Sequence, residues 1–311
     1  MIYLIREFIN IIREEGFINA IKATIRFFRH RLTISRIRRK AILYRLRKRH
    51  GDSVVCEINN SLMELDISPN SPNKLERTLA IEGIREPGAT QTYQNVLDDL
   101  RNRYSSIHVF DIGANVGYFA LMAAELLGEN GRVYAIEAEP ENAQRLRGNI
   151  GLNGYQNIIV HQIAAGAERT QLELSLRSSS NVHRMTEVLE DSDSVGSVDV
   201  EVYPIDHLIS EYDIPSDELI IIRMDVEGYE SHVLAGMSDL LASDRPVYLF
   251  AEIHPSRDVV HTGEIADVLD DHGFSAEYIS TDGGGTYQAM ISIDQIRDLG
   301  SNGHIMVSRF E

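Results

Sequence analysis

The sequence contains one cysteine, Cys56, among its 311 residues, which excludes an intramolecular disulfide framework and any metal cluster built from several cysteines. Its uninterrupted apolar runs are far shorter than the roughly 20 residues that a membrane-spanning helix requires. The N-terminus is charged throughout and lacks the apolar region of a secretory signal. Because 43% of the residues are hydrophobic, we expect a globular protein, located in the cytoplasm or at the inner face of the membrane.

Lysine is also scarce, with four residues in the chain, whereas Asp and Glu number 47 and the formal net charge is −17. Residues 1–50 hold 14 Lys and Arg against 3 Glu, a net charge of +11, and the other 261 residues have a net charge of −28. An acidic body with little lysine suits a high-salt cytoplasm, where salt screens self-repulsion, so we interpret the chain as halophilic. An ordinary acidic enzyme is the alternative. The acidic body would repel phosphate, and we expect no nucleic-acid partner for it.

The basic segment of residues 1–50 has the pattern of an amphipathic helix. Its apolar residues recur at three- and four-residue steps: Ile5, Phe8, Ile9, Ile12, Ile18, Ile21, Ile25, Phe28 and Leu32. A helix with such a stripe and an arginine-rich face can bind an anionic membrane surface or dock beside a lipid-linked glycan. Packing on the rest of the protein or on a second subunit is one alternative, and a nucleic-acid-binding arm is another. The oligomeric state is left open.

From residue 51 to 311 the sequence predicts one α/β domain with an N-terminal cap over residues 51–104. The cap would contain a hairpin between Ser53 and Ile67 and a helix over residues 91–103. Strands and helices then alternate, which is typical of a mostly parallel sheet. Strands are predicted at residues 107–112, 132–136, 157–163, 219–224, 246–253, 274–280 and 304–310. Helices are predicted at residues 118–128, 141–150, 229–242 and 264–272. Residues 178–198, rich in Ser, Asp and Glu, are predicted to form an exposed loop.

The first chemical motif is the run D-I-G-A-N-V-G at residues 111–117, between a predicted strand and an apolar helix. Ligands of open parallel sheets bind at such turns, where Gly113 and Gly117 leave room and the helix start offers N–H groups to a carboxylate. Asp111 would repel a pyrophosphate and suit a ligand that carries an amine or a sulfonium. The run also lacks the G-x-G-x-x-G spacing, which argues against a nicotinamide-dependent oxidoreductase.

Two further strand ends add to this motif. Glu137 lies 20 positions after Gly117, at the end of the second predicted strand, where an acid can accept both hydroxyls of a ribose. The third strand ends near Ala164 and Ala165, small residues that could admit a flat adenine ring. Backbone packing explains these alanines equally well.

Four polar residues follow the later strands: Asp225, Glu227, Glu252 and His254. The carboxyl ends of parallel strands meet at one edge of the sheet, so we expect these side chains near Asp111 and Glu137. The four could hold Mg²⁺ or Mn²⁺, but their spacing is not diagnostic, and a metal is not part of the main prediction. Glu227 and Glu230 could instead stabilise the dipole of the helix that follows.

Taken together, the run at 111–117, Glu137, the run R-M-D-V-E-G-Y-E at 223–230 and the run E-I-H at 252–254 resemble the FkbM family of S-adenosylmethionine-dependent O-methyltransferases. The resemblance covers about residues 54–310, and the segment D-V-E-G is its most specific part. It implies a Rossmann-like class I methyltransferase sheet of seven strands with an antiparallel last strand. It also implies S-adenosylmethionine as the methyl donor and a hydroxyl of a sugar or of a polyketide-type product as the usual acceptor.

The resemblance also implies roles for single residues. The donor loop becomes Asp111, Gly113, Asn115 and Gly117, the ribose acid becomes Glu137, and the candidate catalytic residues become Arg223, Asp225, Glu227 and His254. His254 is the preferred general base because its unperturbed pKa lies near neutrality, and Asp225 comes second; a purely structural His254 that caps its strand is the alternative. The family usually has Lys where this chain has Arg223. Arg223 can replace a lysine that orients a carboxylate, but not one that transfers a proton.

The main prediction is therefore an O-methyltransferase that acts on a sugar hydroxyl or a uronic-acid carboxyl of a glycan or glycolipid. A carboxylate acceptor would need no general base. The alternatives are methylation of a polyketide-type small molecule and a non-catalytic protein that keeps the donor-binding fold, of which Arg223 would be a symptom.

Overall fold

The computed structural model describes residues 38–69, 73–177, 184–185, 194–255, 262–280, 288–290 and 292–310. The chain divides into two compact units, Met1–Val54 with Ile67–Pro69, and Val55–Asp66 with Asn70–Glu311. In the first unit, residues 38–50 form helix α1. Arg47 near its end pairs with Asp52, with 3.0 Å between Nη2 and Oδ1. The predicted apolar stripe of residues 5–32 lies outside the described residues.

The remaining described helices, in chain order, are α2 (Lys74–Glu82), α3 (Pro87–Arg103), α4 (Tyr118–Leu127), α5 (Pro140–Asn153), α6 (Ile205–Glu211), α7 (Glu230–Ala235), α8 (Ser238–Ala242) and α9 (Thr262–Asp271). The strands are β1 (Ser53–Ile58), β2 (Ser61–Asp66), β3 (Ile107–Ile112), β4 (Gly131–Ile136), β5 (Ile158–His161), β6 (Ala164–Ala165), β7 (Thr170–Arg177), β8 (Arg184–Met185), β9 (Ser194–Tyr203), β10 (Leu219–Met224), β11 (Val247–Ile253), β12 (Ser275–Ser280), β13 (Gln288–Ala289) and β14 (Gly303–Arg309). None of these described helices has the length and apolarity needed to cross a membrane.

The main sheet of the second unit has the strand order β13-β12-β14-β11-β10-β3-β4-β5. The pairs from β11 to β5 are parallel, and β14 is antiparallel to both of its neighbours. The predicted mostly parallel sheet with an antiparallel last strand is thus confirmed, and β13 adds a short eighth strand. The chain runs from β3 outwards to β4 and β5 and later returns to place β10 on the other side of β3. Such a reversal opens a crevice at the carboxyl ends of the strands, where ligands of these folds bind.

The central strands β3 and β10 are buried at every position, because packed elements cover both faces of a parallel sheet of this kind. Their sequences are nearly continuous apolar runs, interrupted by His108 and by two charged residues, one acid in β3 and one arginine in β10. These two residues, Asp111 and Arg223, are direct neighbours in the register of the two strands. The pairing of the strands therefore brings a buried carboxylate and a buried guanidinium group together just below the crevice.

The structure corrects the prediction of an exposed loop over residues 178–198. Residues 194–198 belong to β9, which pairs with β7 in a second, four-stranded sheet of order β6-β9-β7-β8. Apolar residues alternate along both strands, Leu172 and Leu174 on one and Val200 and Val202 on the other, but the surrounding Ser, Asp and Glu mask this period of two. Residues 178–183 and 186–193 of the predicted loop lie outside the described part of the chain.

Smaller differences concern helices. The cap hairpin is present as β1 and β2, but the predicted helix 91–103 begins earlier, at Pro87, and α2 was not predicted. The predicted helix 229–242 is divided into α7 and α8, with Gly236 at the end of the first. Glycine favours such a helix end because it lowers the cost of leaving the helical conformation.

Candidate functional site

A cleft at the carboxyl ends of β3, β4 and β10 encloses about 720 Å³, including its open mouth. Seven of the sequence-predicted site residues line it: Gly113, Asn115, Glu137, Ala164, Ala165, Asp225 and Glu227. Asp111, Gly117, Arg223 and His254 are not among the lining residues. Arg85, which the sequence analysis did not single out, is.

The loop after β3 owes its shape to two glycines in the left-handed region of the backbone. Gly113 has a φ of 79°, and a Cβ there would lie 2.1 Å from the carbonyl oxygen of Asp225. Any side chain at this position would therefore push the loop away from the end of β10. Gly117, with a φ of 99°, is the residue before α4 and packs against Leu146 instead of the cleft. Its contribution is to the turn that starts the helix.

Glu137 is held by the backbone of its own neighbourhood. Its Oε2 accepts a 2.7 Å hydrogen bond from the N–H of Asn115, and its Oε1 accepts one of 2.9 Å from the N–H of Glu139. Burial raises the pKa of Glu137 to about 7, although these N–H donors act in the opposite direction. The sequence analysis expected the N–H groups of this loop to face the carboxylate of a ligand, but the N–H of Asn115 donates to the carboxylate of Glu137. We call Gly113, Asn115, Glu137, Ala164 and Ala165, which line the cleft and which the sequence analysis predicts to bind a donor, the donor wall.

Asp111 lies behind the loop and not in the cleft, contrary to the expectation that it faces the ligand. It is fully buried, and its Oδ1 is 3.3 Å from Nη1 of Arg223. Burial raises the pKa of Asp111, and Arg223 opposes this shift. The same Arg223 nitrogen donates to the Gly113 carbonyl at 3.2 Å, and its guanidinium lies 4.4 Å from the ring centre of Phe119. Arg223 therefore orients other groups from beneath the loop.

Asp225, unlike Asp111, lines the cleft, and two arginines contact it. Its Oδ2 accepts hydrogen bonds of 3.0 Å from both Arg223 and Arg85. Arg85 also contacts Glu86 at 2.9 Å and lies 3.9 Å from Glu252. Burial would lower the pKa of Arg85, but these acids raise it. The local sequence gives no sign of this role, because Arg85 follows α2, far from the strand ends.

His254 is buried below the cleft and contacts acids through both ring nitrogens. Its Nδ1 is 2.7 Å from Glu230, and its Nε2 is 3.4 Å from Glu252 and 3.6 Å from Glu227. Burial lowers the pKa of His254, but the hydrogen bonds to Glu230 and Glu252 more than offset this and raise it to about 10. The ring is therefore positively charged at neutral pH, a state in which it cannot accept a proton. This differs from the expectation of a base poised near neutrality.

We call Arg85, Asp225, Glu227, Glu230, Glu252 and His254 the charged rim. Among the described residues, two sets of side chains there and beside it have ligand atoms within 4.8 Å of one another: Asp225 with Glu227 and His254, and Glu86 with Glu252 and His304. The four predicted metal ligands are thus split, since Glu252 belongs to the second set. Two guanidinium groups contact Asp225, and His254 contacts Glu230 and Glu252, so a cation in the first set would have to displace or compete with these partners.

Comparison with known proteins agrees with this architecture. The sequence profile described as "Methyltransferase FkbM domain" matches residues 111–276, more than half of the chain. The chain therefore belongs to the FkbM methyltransferase family.

Individual relatives match shorter parts of the chain. Protein-L-isoaspartate O-methyltransferase of Methanococcoides burtonii is 38% identical over 65 residues, 21% of this chain and 32% of that protein. Hexuronic acid methyltransferase AglP of Haloferax volcanii is 24% identical over 151 residues, 48% of this chain and 57% of that protein. The chain thus spans about a third or less of the first curated relatives it matches. Magnesium protoporphyrin IX methyltransferase of Synechocystis PCC 6803, solved with bound SAM, has 13% identity and a TM-score of 0.39, covering 78% of this chain and 87% of that one.

Proposed function

We propose that the protein is an S-adenosylmethionine-dependent O-methyltransferase that methylates a hexuronic-acid carboxyl of a glycan. A sugar hydroxyl is the alternative acceptor. The observation that carries this choice is His254, whose two ring nitrogens contact Glu230 and Glu252. A charged imidazole cannot take the proton of a hydroxyl, whereas a carboxylate acceptor has no proton to lose. The similarity to the hexuronic acid methyltransferase AglP supports the same acceptor class.

The donor wall suits the adenosine part of S-adenosylmethionine. Glu137 lines the cleft with an acceptor group that two backbone N–H donors hold in place, as binding of ribose hydroxyls requires. Apolar walls beside it come from Ile136, Ile163, Ala164 and Leu174. When bound, S-adenosylmethionine supplies a methyl group on a positively charged sulfur. Arg85, Asp225 and Glu227, the residues of the charged rim that line the cleft, would then hold the acceptor oxygen in line with that methyl group, which in ideal cases contributes about 7–11 kcal/mol.

The acceptor can be tested with methyl-labelled S-adenosylmethionine and a glycan extract. We expect label in a hexuronic-acid fraction, and we expect mild alkali to release it as methanol, because methyl esters hydrolyse and methyl ethers do not. Alkali-stable label would assign the acceptor to a hydroxyl of a sugar or of a polyketide-type product. Donor binding without transfer to any fraction would support the non-catalytic alternative.

We also propose that residues 1–50 dock the protein on an anionic membrane surface, at the cytoplasmic face of a halophilic cell, where a lipid-linked glycan would be methylated. The support is charge: α1 exposes Arg38, Arg39, Lys40, Lys48 and Arg49, and each basic residue near an anionic surface contributes about 1 kcal/mol at moderate ionic strength, and less in the high salt of a halophilic cell, which screens the attraction. Replacing these five residues with Gln should reduce co-sedimentation with anionic vesicles and leave donor affinity unchanged. Neutral vesicles are the control, and unchanged sedimentation would contradict the docking.

A further inference from the structure

The guanidinium group of Arg85 has N–H donors in the cleft that make no hydrogen bond to another described residue. A guanidinium group has five N–H donors, and here Nε donates to Glu86 and Nη2 to Asp225. No described residue accepts a hydrogen bond from Nη1 of Arg85. The side chain is 17% exposed and lines the cleft. Its unused donors therefore remain available to a molecule that enters.

Arg85 is also the one cationic side chain among the described residues that line the cleft, beside the acids Glu137, Asp225 and Glu227. A carboxylate that enters the cleft can thus pair there with Arg85 alone. Two donors of a planar guanidinium match the two oxygens of a carboxylate, which gives both strength and a fixed orientation.

The backbone around Arg85 holds this side chain in place. The Arg85 N–H donates to the Tyr118 hydroxyl at 3.2 Å, and the Arg85 carbonyl accepts a 2.6 Å hydrogen bond from Thr90. Tyr118 is the first residue of α4, directly after the donor-loop motif, so the cap is bonded to the donor site at this point. The next residue, Glu86, has a φ of 39°, a strained value for a residue other than glycine. Such strain persists where the surrounding contacts determine the conformation, and it is common at ligand sites.

We propose that Arg85 is the carboxylate-binding residue of this cleft. The carboxylate is either that of the amino-acid part of S-adenosylmethionine or that of a hexuronic-acid acceptor, and the inference rests on the proposed function. Asp225, Glu86 and Glu252 orient the guanidinium, and its free edge receives the ligand. The first source makes Arg85 part of donor binding, and the second makes it the residue that selects acidic sugars.

The two sources can be separated with pairs of ligands that differ only in the carboxylate. The full-length wild-type protein, Arg85→Gln and Arg85→Lys are titrated by calorimetry with S-adenosylmethionine and with its decarboxylated form. They are then titrated with p-nitrophenyl glucuronide and p-nitrophenyl glucoside in the presence of saturating S-adenosylhomocysteine. Arg101→Gln on α3 is the matched control, because Arg101 is an exposed arginine that pairs with Asp98 on the surface.

If the donor carboxylate binds Arg85, Arg85→Gln should lose affinity for S-adenosylmethionine by roughly 10–100-fold and keep its affinity for the decarboxylated form. If the acceptor carboxylate binds there, the loss should appear for the glucuronide and not for the glucoside. Arg85→Lys, which keeps the charge but not the planar fork, should lose less in either case.

Binding of the ligand that lacks a carboxylate serves as the control that Arg85→Gln is folded. Loss of affinity for both members of a pair would overturn the proposal, because the carboxylate would then not be the group that Arg85 binds. Equal affinities of Arg85→Gln and wild type for all four ligands would overturn it as well. A wild-type protein that binds no S-adenosylmethionine would instead contradict the proposed function itself.

Discussion

At the donor wall, backbone N–H groups of Asn115 and Glu139 hold the carboxylate of Glu137, and both donors lie close to it in the chain or in the adjoining loop. At the charged rim, Asp225 is instead held by two guanidinium groups, one of which comes from Arg85, 140 positions away. Backbone donors are part of the fold and do not titrate. Ion pairs between distant side chains depend on the packing of several elements and on pH. The two regions should therefore respond differently to the same kinds of change.

The largest effect should come from Arg223, which joins the two regions from below. Arg223→Met leaves the buried Asp111 without its cationic partner, and breaking a buried pair in this way costs about 3–5 kcal/mol of unfolding free energy. Denaturant unfolding of the variant should show this loss. Arg223→Lys keeps a charge at this position and should lose clearly less. A methionine variant as stable as wild type would mean that Asp111 needs no cation.

At the donor wall, a smaller and more selective effect is expected. Glu137→Gln places an amide where two backbone N–H groups donate, so one acceptor oxygen is lost, and affinity for S-adenosylmethionine should fall by roughly 10–100-fold. Calorimetric titration measures this change, with the exposed Glu141→Gln on α5 as the control. Loss of stability without loss of affinity would assign Glu137 to the fold and not to the donor.

The charged rim should also show a pH dependence, at higher pH than the donor wall, where the pKa of Glu137 is about 7. The pKa of His254 is about 10 in the folded protein and near 6.5 in the unfolded chain, so the folded state holds its proton more tightly. Its contribution to stability is complete below about pH 6.5 and is lost as the pH rises towards 10. Between pH 7 and 10 the wild-type protein should lose more than about 1 kcal/mol of unfolding free energy.

His254→Gln should reduce that slope, although His304, whose pKa is raised to about 9, contributes to it with the same sign. The exposed His207→Gln is the control variant. If the proposed acceptor is a carboxylate, the methyl-transfer rate per folded molecule of His254→Gln should remain close to wild type. If His254→Gln instead loses most of its methyl-transfer rate but keeps its donor affinity, His254 would be the general base that the sequence analysis predicted.

Metal removal should have the smallest effect. Dialysis against EDTA should leave donor affinity and methyl transfer unchanged, because the rim acids that could hold a cation already pair with arginine and histidine. Parallel assays with added Mg²⁺ and Mn²⁺ check this expectation. Activity that disappears in EDTA and returns with one of these ions would show that the acids bind a metal in preference to their present partners.

The sequence located most of the donor wall, because the relevant signals are local. A buried strand followed by a glycine turn, and an acid at the end of the next strand, place Gly113, Asn115 and Glu137 together in any parallel α/β sheet. It also located Asp225 and Glu227 at the same edge. It could not tell which acid faces the cleft, since Asp111 and Asp225 both follow apolar residues, and only the burial of Asp111 and its ion pair with Arg223 show that it lies in the interior.

By itself, therefore, the sequence determined the α/β class, the family and the strand ends that carry the site, since hydrophobic periodicity and turn residues act over a few positions. Only the tertiary structure decided the protonation of His254 and the partners of Asp225. Both depend on charges that approach within 3–4 Å from elements far apart in the chain, and electrostatic interactions at such distances are strong only once water is excluded. The place of Arg85 in the cleft was likewise decided only by the tertiary structure, because Arg85 belongs to the helical cap, whose position no local sequence pattern specifies.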